Sequence, residues 1–369
     1  MTRVALLGPA VSIHLQRWAH ALAARGHALC VLTQHPCEPG LLPASAELVT
    51  LARGGQAGYF ANAWRARRVL RAWRPDIVNA HYASGYGTTA ALCGVRPMLL
   101  SVWGSDVYDF PFEGAFKGWL VRRNLRAATA IASTSHAMAA QVRRLVADVG
   151  DIAVTPFGVD VERFAPDPAA RDAGWITLGI VKTLAPKYGV DLLLRAFAGL
   201  LRDERVAALP RPLRLLVVGD GPQRAGLEAL AAELGIAAHA RFAGAVAHAE
   251  VPSWLNRLDV YAAPSRLDSE SFGVAVIEAG ACGLPVVVSD AGGLPEVVRD
   301  GETGLVVPRE DAVALQAALA RLVLDAALRE RLGACGRAHV AGAYAWPRCV
   351  DAMEAAYLRT MAAHAAAHR

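Results

Sequence analysis

Long apolar runs are missing from this 369-residue chain. Stretches such as Ala127 to Ala132 and Ala312 to Leu319 are interrupted by polar residues long before the roughly 18 apolar residues of a membrane span, so no transmembrane helix is expected. Only Val4 to Leu7 lie between Arg3 and the Gly8-Pro9 turn, too few for the hydrophobic region of a signal peptide, and the chain is expected in the cytoplasm. The six Cys (30, 37, 93, 282, 335, 349) include no Cys-x-x-Cys pair and sit mostly inside apolar runs, which indicates neither a disulfide framework nor a zinc site. No Asp-x-Asp is present at which a divalent metal would bridge a diphosphate, and no metal or cofactor is expected. The first strand-to-helix loop lacks Gly-x-Gly-x-x-Gly, and no acidic residue ends the second strand, Val31-Leu32-Thr33, which speaks against a dinucleotide site. Solenoid repeats are absent, and the one biased tract is the Ala/His tail Ala362 to Arg369, expected to fray.

What is present is 54% hydrophobic and 19% charged residues, the balance of a globular protein, in a length that suits two domains. Val4 to Leu7 and Ala28 to Leu32 flank a stretch of helical periodicity, Ile13 to Arg25, that stops at Gly26. Further strands are predicted at Asp76 to Asn79, Met98 to Val102, Ala130 to Ser133 and Ile152 to Val154. Between Pro156 and Gly174 prolines and glycines cluster without periodicity. The alternation then restarts with strands at Trp175 to Val181, Leu213 to Val218, Arg241 to Ala243, Val260 to Ala262, Pro285 to Ser289 and Gly304 to Val307. Strands alternating with helices imply an α/β fold of two Rossmann-like domains with parallel sheets, 1–165 and 166–345, followed by a C-terminal helix, 346–369.

In such sheets ligands bind beyond the carboxyl ends of the strands. Glu270 and Glu278 lie eight residues apart around Gly273, where a helix begins. Eight residues correspond to about 12 Å of helix rise and leave the two side chains about 80° apart in projection. The helix N-terminus between them suits a diphosphate, with Glu270 accepting from a hexose and Glu278 from a ribose. Two solvated glutamates would be the plain alternative, but Glu278 sits among Val274, Val276, Ile277 and Ala279, where an unpaired charge is costly. Lys182 and Lys187 follow the first strand of the second domain and would neutralise a departing diphosphate, unless they are simply solvated. Gly221, in Gly219-Asp220-Gly221-Pro222, would let backbone approach a ligand, or mark only a turn. In the first domain His14 and Asp106 are candidates facing an interdomain cleft, with an Asx-turn or helix cap as the other reading of Asp106.

Taken in order, these segments resemble the retaining glycosyltransferases of family 4, with the two-domain GT-B architecture. The resemblance rests on Ser12 to Trp18 leading to Arg25-Gly26-His27, on Gly104-Ser105-Asp106, and on Pro156 to Asp160 with Phe164. It continues through Val218 to Pro222, Pro264-Ser265, the E-x7-E stretch Glu270 to Glu278, Ala281 to Pro285 and Gly301 to Leu305. It implies two sheets facing a central cleft, a nucleotide-diphosphate sugar held mainly by the second domain, and a sugar or lipid-linked acceptor held by the first. A hexose-type sugar would pass to an acceptor hydroxyl with retention, the leaving phosphate taking the acceptor's proton, without a metal. By the same resemblance Glu270 and the backbone of Ser271, Phe272, Gly273 and Val274 contact the sugar, Glu278 the ribose, and Lys182 and Lys187 the diphosphate. The last helix would cross back onto the first domain.

Two positions depart from the family. Lys182-Thr183 stands where Gly-Arg is frequent, and Trp103 where a His is frequent, leaving His14 or His81 as the imidazoles able to replace it. A nucleotide-sugar epimerase or a non-catalytic binding subunit on the same fold are the alternatives. The net charge of +5 is concentrated in residues 1–165, with 17 Lys plus Arg against 10 Asp plus Glu. There Ala61 to Arg74 and Phe116 to Arg126 read as basic amphipathic helices carrying Trp64, Trp73 and Trp119. Either these tryptophans pack inward, or they give a peripheral contact with an anionic membrane at its inner surface, as a lipid-linked acceptor would require. Nucleic acid is not an expected partner, because no recognition module accompanies the charge.

Overall fold

Thirteen short strands, most of them rich in Val, Leu, Ile and Ala, build the protein, and a computed structural model describes all of it, Met1–Arg369. Two compact units are formed: Met1–Phe157 with Pro347–Arg369, and Gly158–Trp346. The chain thus divides at Phe157, earlier than residue 165, and its last segment belongs with the first unit.

The first unit holds a seven-stranded parallel sheet made of β1 (Arg3–Leu7), β2 (Ala28–Thr33), β3 (Glu47–Thr50), β4 (Ile77–His81), β5 (Met98–Ser101), β6 (Ala130–Ser133) and β7 (Ile152–Val154), in the order β3-β2-β1-β4-β5-β6-β7. Helices cover both faces, so the inner strands are buried along nearly their whole length, and an uninterrupted apolar run is what such burial selects. The core gathers Leu7, Leu32, Tyr86, Met98, Leu100 and Val121. Truncating one of these leucines to alanine costs about 2–5 kcal/mol.

The last helix, Trp346–Ala367, buries Cys349, Val350, Met353 and Tyr357. It is fastened to the first unit by Arg25 on Asp351 at 2.6 Å, His27 on Glu354 at 2.6 Å, and the Tyr357 hydroxyl donating to Asn79 Oδ1 at 2.9 Å. The expected fraying from Ala362 is not observed: the helix continues to Ala367, as alanine's high helix propensity favours. All six cysteines are free, and burial pushes the Cys30, Cys93, Cys282 and Cys349 thiols up to about 12.

The second unit repeats the pattern with β8 (Ile176–Val181), β9 (Leu213–Val218), β10 (Ala240–Gly244), β11 (Val260–Ala263), β12 (Val286–Ser289) and β13 (Gly304–Val307), parallel and in the order β10-β9-β8-β11-β12-β13. In both sheets the order reverses beside the first strand of the unit, at β1/β4 and at β8/β11. The loops part there at the carboxyl ends and leave a crevice.

Candidate functional site

Lys182 is the first residue beyond β8, and its amide donates to the Val218 carbonyl at 2.9 Å. Gly219 makes room for this turn, because at φ +137° a Cβ would collide with the Lys182 carbonyl. The Lys182 ammonium lies 2.9 Å from Glu270 Oε1 and 4.5 Å from the centre of the Tyr188 ring. Burial disfavours its charge, but Glu270, Tyr188 and Glu278 outweigh that and raise its pKa above the ordinary lysine value. Lys187 approaches the same ring, with Nζ 4.9 Å from its centre, so Tyr188 brings both lysines together.

Glu270 reaches Lys182 from the loop after β11, and that loop is braced by charge. Arg266 grips Asp191 with two 2.7 Å bonds and Glu310 with a third, while Arg309 joins Asp268 and Asp290. The Gly293 amide donates to the Glu270 carbonyl at 3.1 Å. Glu270, Ser271 and Phe272 are all buried, and the Phe272 ring meets Tyr344 edge-on at 5.6 Å.

Gly273, at φ +96°, turns the chain into the helix Val274–Ala281, which has no side-chain cap at its N-terminus. The positive end of that helix therefore lies at the β8/β11 crevice. Glu270 precedes the helix, so the two carboxylates are not set by a helical projection, and the expected 80° separation does not apply. Glu278 sits within the helix, buried, with His248 Nε2 3.1 Å from its Oε1. Its charge is felt by Lys182 and by Tyr261, whose hydroxyl is pushed up by burial and by both glutamates. Two buried carboxylates, two ammonium groups and a helix N-terminus thus surround one crevice, a combination suited to a polyhydroxylated diphosphate.

The other candidates have different placements. Beside Gly221 the space where a Cβ would stand is filled by the Leu184 carbonyl, so the glycine serves a close approach of the chain to itself. Asp106 is buried at the β5 end of the first sheet and accepts from the amides of Ala83 (2.6 Å), Gly104 (2.9 Å) and Trp103 (3.1 Å). Burial raises its pKa against these bonds, and its carboxylate organises loops as the turn reading expected. His14 stacks on Phe157 at 4.2 Å and meets Trp103 edge-on at 5.8 Å. Trp103 in turn touches His81 (4.7 Å) and Tyr82 (4.9 Å), forming an aromatic cluster at the ends of β1, β4 and β5. A neighbouring cavity of about 360 Å³ is lined by His35, Tyr59, Tyr82 and Tyr86. Trp64, for which inward packing was one expectation, is 71% exposed, whereas Leu70 of the same helix is fully buried.

Sequence reasoning missed His248, Tyr188 and the tyrosines of that cavity. One signal was available: of 38 Lys plus Arg only three are Lys, and two of those are Lys182 and Lys187. In an arginine-rich chain, two lysines five residues apart mark a place that wants a compact ammonium.

Comparison with known proteins gives a family match on each unit. Residues 3–135 match the family model for Glycosyl transferase 4-like proteins and residues 164–339 that for Glycosyl transferases group 1. A GDP-mannose-dependent alpha-(1-6)-phosphatidylinositol monomannoside mannosyltransferase of Mycolicibacterium smegmatis is 36% identical over 195 residues, 49% of this chain and 50% of that one. A D-inositol 3-phosphate glycosyltransferase of Geodermatophilus obscurus is 39% identical over 240 residues, 59% of this chain and 50% of that one. The chain spans about half the length of the curated relatives it matches. Among solved structures, sucrose-phosphate synthase of Thermosynechococcus elongatus superimposes with a TM-score of 0.83 at 23% identity, covering 98% of this chain and 100% of that one, which is a likeness of fold. With one glycosyltransferase model on each unit, in chain order, and this fold, the chain belongs to the family 4 type of GT-B glycosyltransferases.

Proposed function

We propose that the protein is a retaining glycosyltransferase that moves a hexose-type sugar from a nucleotide-diphosphate sugar to an acceptor hydroxyl. The observation that carries this reading is the Lys182–Glu270 pair beside the N-terminus of helix Val274–Ala281, with Glu278 buried farther along it. Lys182 and Lys187 take the diphosphate together with the helix N-terminus, and Glu278, oriented by His248, takes the ribose. Glu270 and the backbone of Ser271, Phe272, Gly273 and Val274 hold the hexose. The bond from the anomeric carbon to the diphosphate oxygen breaks, and the acceptor oxygen bonds to that carbon on the same face. The acceptor's proton passes to the departing phosphate oxygen. Negative charge grows on that phosphate in the transition state, where a fixed ammonium stabilises it most. No protein nucleophile and no metal is required.

The acceptor belongs to the first unit, where His14 and the aromatic cluster offer ring faces to a sugar. A lipid-linked acceptor and peripheral contact with an anionic membrane are supported by the surface of that unit. Trp64, Phe112, Phe116 and Trp119 are each more than half exposed, and Arg65, Arg67, Arg68 and Arg71 share the helix Ala63–Trp73 with Trp64. No helix is long and apolar enough to cross a membrane.

The test is a donor panel led by GDP-mannose and UDP-sugars, with inositol-containing and lipid-linked acceptors, and the anomeric configuration of the product read by NMR. Transfer with retention is expected. Conversion of the nucleotide sugar without acceptor, or an inverted product, overturns the reading. For the membrane, sedimentation with anionic liposomes at low salt and release at high salt are expected. Absence of low-salt binding by an active enzyme removes the membrane from the proposal.

A further inference from the structure

A second cavity, of about 560 Å³, lies in the second unit at the amino edge of its sheet. Its lining residues precede the strands: Arg171 lies ahead of β8, Arg211 ahead of β9 and Asp259 ahead of β11. Lys182 and the Glu270 loop follow the strands, so the two places are on opposite edges, separated by the length of β8, about 20 Å at roughly 3.3 Å per residue.

Four guanidinium groups, Arg171, Arg211, Arg329 and Arg337, line this cavity against two carboxylates, Asp259 and Glu330. Arg337 is committed to the carbonyls of Phe164, Ala281 and Val161. Asp259 is turned toward the sheet, accepting from the Thr177 amide at 2.8 Å, and stands 3.7 Å from Arg211. The Nε atoms of Arg171 and Arg211 are buried without a hydrogen-bond partner, an arrangement that costs free energy unless an acceptor is supplied. Burial lowers the Arg329 pKa, and the charges of Arg211 and Arg171 press it further down against Asp259 and Glu330. Arg329 Nη1 donates to the Leu322 and Val323 carbonyls and Arg211 Nη2 to those of Asp172 and Trp175, acceptors without formal charge, so with Asp259 and Glu330 counted the lining keeps an excess of two positive charges. Its size is that of a small-molecule site, and Pro166, Pro168 and Ala173 on its wall leave room for a carbon skeleton.

We propose that this cavity is a second anion site that takes a phosphate monoester of a small polyhydroxylated molecule, with Arg171, Arg211 and Arg329 as the phosphate clamp. A dianion matches the excess of two positive charges on the lining, and planar guanidinium forks suit phosphate oxygens. The site is independent of the transferase reading.

The experiment is calorimetric titration of the full chain with glucose 6-phosphate at fixed ionic strength, in four forms. These are the native protein, Arg171→Gln, Ala173→Glu and the double variant Lys182→Ala/Lys187→Ala. Arg171 has no hydrogen-bonded role in the fold that the substitution would break, and Ala173→Glu adds a carboxylate on an exposed loop without removing any arginine, so one of the two will fold. Native protein and the lysine variant should bind with equal affinity, and each of the two cavity variants should lose at least tenfold. Excess inorganic phosphate should displace the sugar phosphate from native protein. No binding to native protein, undiminished binding to both folded cavity variants, loss confined to the lysine variant, or failure of inorganic phosphate to compete would each overturn the proposal.

Discussion

His81, the last residue of β4, makes the stability of the first unit depend on acid in a way that one substitution isolates. Its side chain is fully buried, both ring nitrogens lack a hydrogen-bond partner, and Trp103 packs 4.7 Å away. Burial, and secondarily His14, lower its pKa to about 3. The folded chain therefore keeps this imidazole neutral, whereas the unfolded chain protonates it near the ordinary value of about 6.5. A depressed histidine contributes its stability above the unfolded value and loses it as pH falls from 6.5 toward 3. Integrating proton uptake by the unfolded chain alone from pH 7 to pH 5 gives about 2 kcal/mol, roughly a thirtyfold change in the unfolding equilibrium. His81→Leu, close in volume, removes both nitrogens and should abolish this part of the pH dependence. At pH 7 it should be neutral or stabilising, because it deletes buried polar atoms that lack partners. Urea unfolding at pH 7 and pH 5, read by pulsed hydrogen exchange on peptides from β4 and β5, follows the first unit alone. The drop in stability between these pH values should be smaller in His81→Leu by about 2 kcal/mol. Identical drops in the two proteins would refute the claim that His81 is held neutral.

Lys182→Ala should lower kcat by about a hundredfold while KM for the donor changes less, since the ammonium meets charge that grows in the transition state; steady-state kinetics with kcat preserved and KM raised contradicts that role. Gly273→Ala places a side chain at φ +96° with its Cβ 2.7 Å from Leu294 Cδ2. A loss of about 1–3 kcal/mol is expected, seen as a lower melting temperature, and an unchanged melting curve counts against the strained N-terminus. Transfer should survive EDTA; activity lost in EDTA and restored by Mg²⁺ replaces the metal-free mechanism with a metal-assisted one.

Twelve of the thirteen strands were readable, most of them because they are buried in the middle of a sheet; β7 and β10 are partly buried edges that still carry short apolar stretches. A parallel strand buried on both faces favours an apolar run, and Val286-Val287-Val288 or Leu215-Leu216-Val217-Val218 have little other use. β3 escaped notice for the converse reason. Glu47-Leu48-Val49-Thr50 forms the edge of its sheet with only Val49 less than exposed, so nothing selects an apolar run, and pairing with β2 alone defines it. The alanine-rich end of the last helix was misjudged by treating low complexity as fraying, although Ala gives up the least entropy of any residue on becoming helical.

The site was legible as a set of residue types and illegible as a set of partners. Lys182 and Glu270 are 88 residues apart, and only the β8/β11 reversal brings them to 2.9 Å. Spacing along the chain made Glu270 and Glu278 one helical pair, whereas Gly273 ends the loop between them, so each carboxylate has its own partner, Glu270 the Lys182 ammonium and Glu278 the His248 imidazole. The near absence of lysine acquires its meaning at this point. Elsewhere in the second unit arginine serves as the cation, forking onto Asp191 from position 266 and reaching Asp268 and Asp290 from position 309. Beside Glu270 the cation also rests on the face of Tyr188, and a single ammonium can hold the carboxylate, lie over the ring and still turn a donor toward a phosphate. A planar guanidinium engaged by one carboxylate has its remaining donors fixed in that plane. Lys182, one of the two exceptions to arginine usage in the second unit, therefore stands where a cation serves a carboxylate and a ring face in different directions.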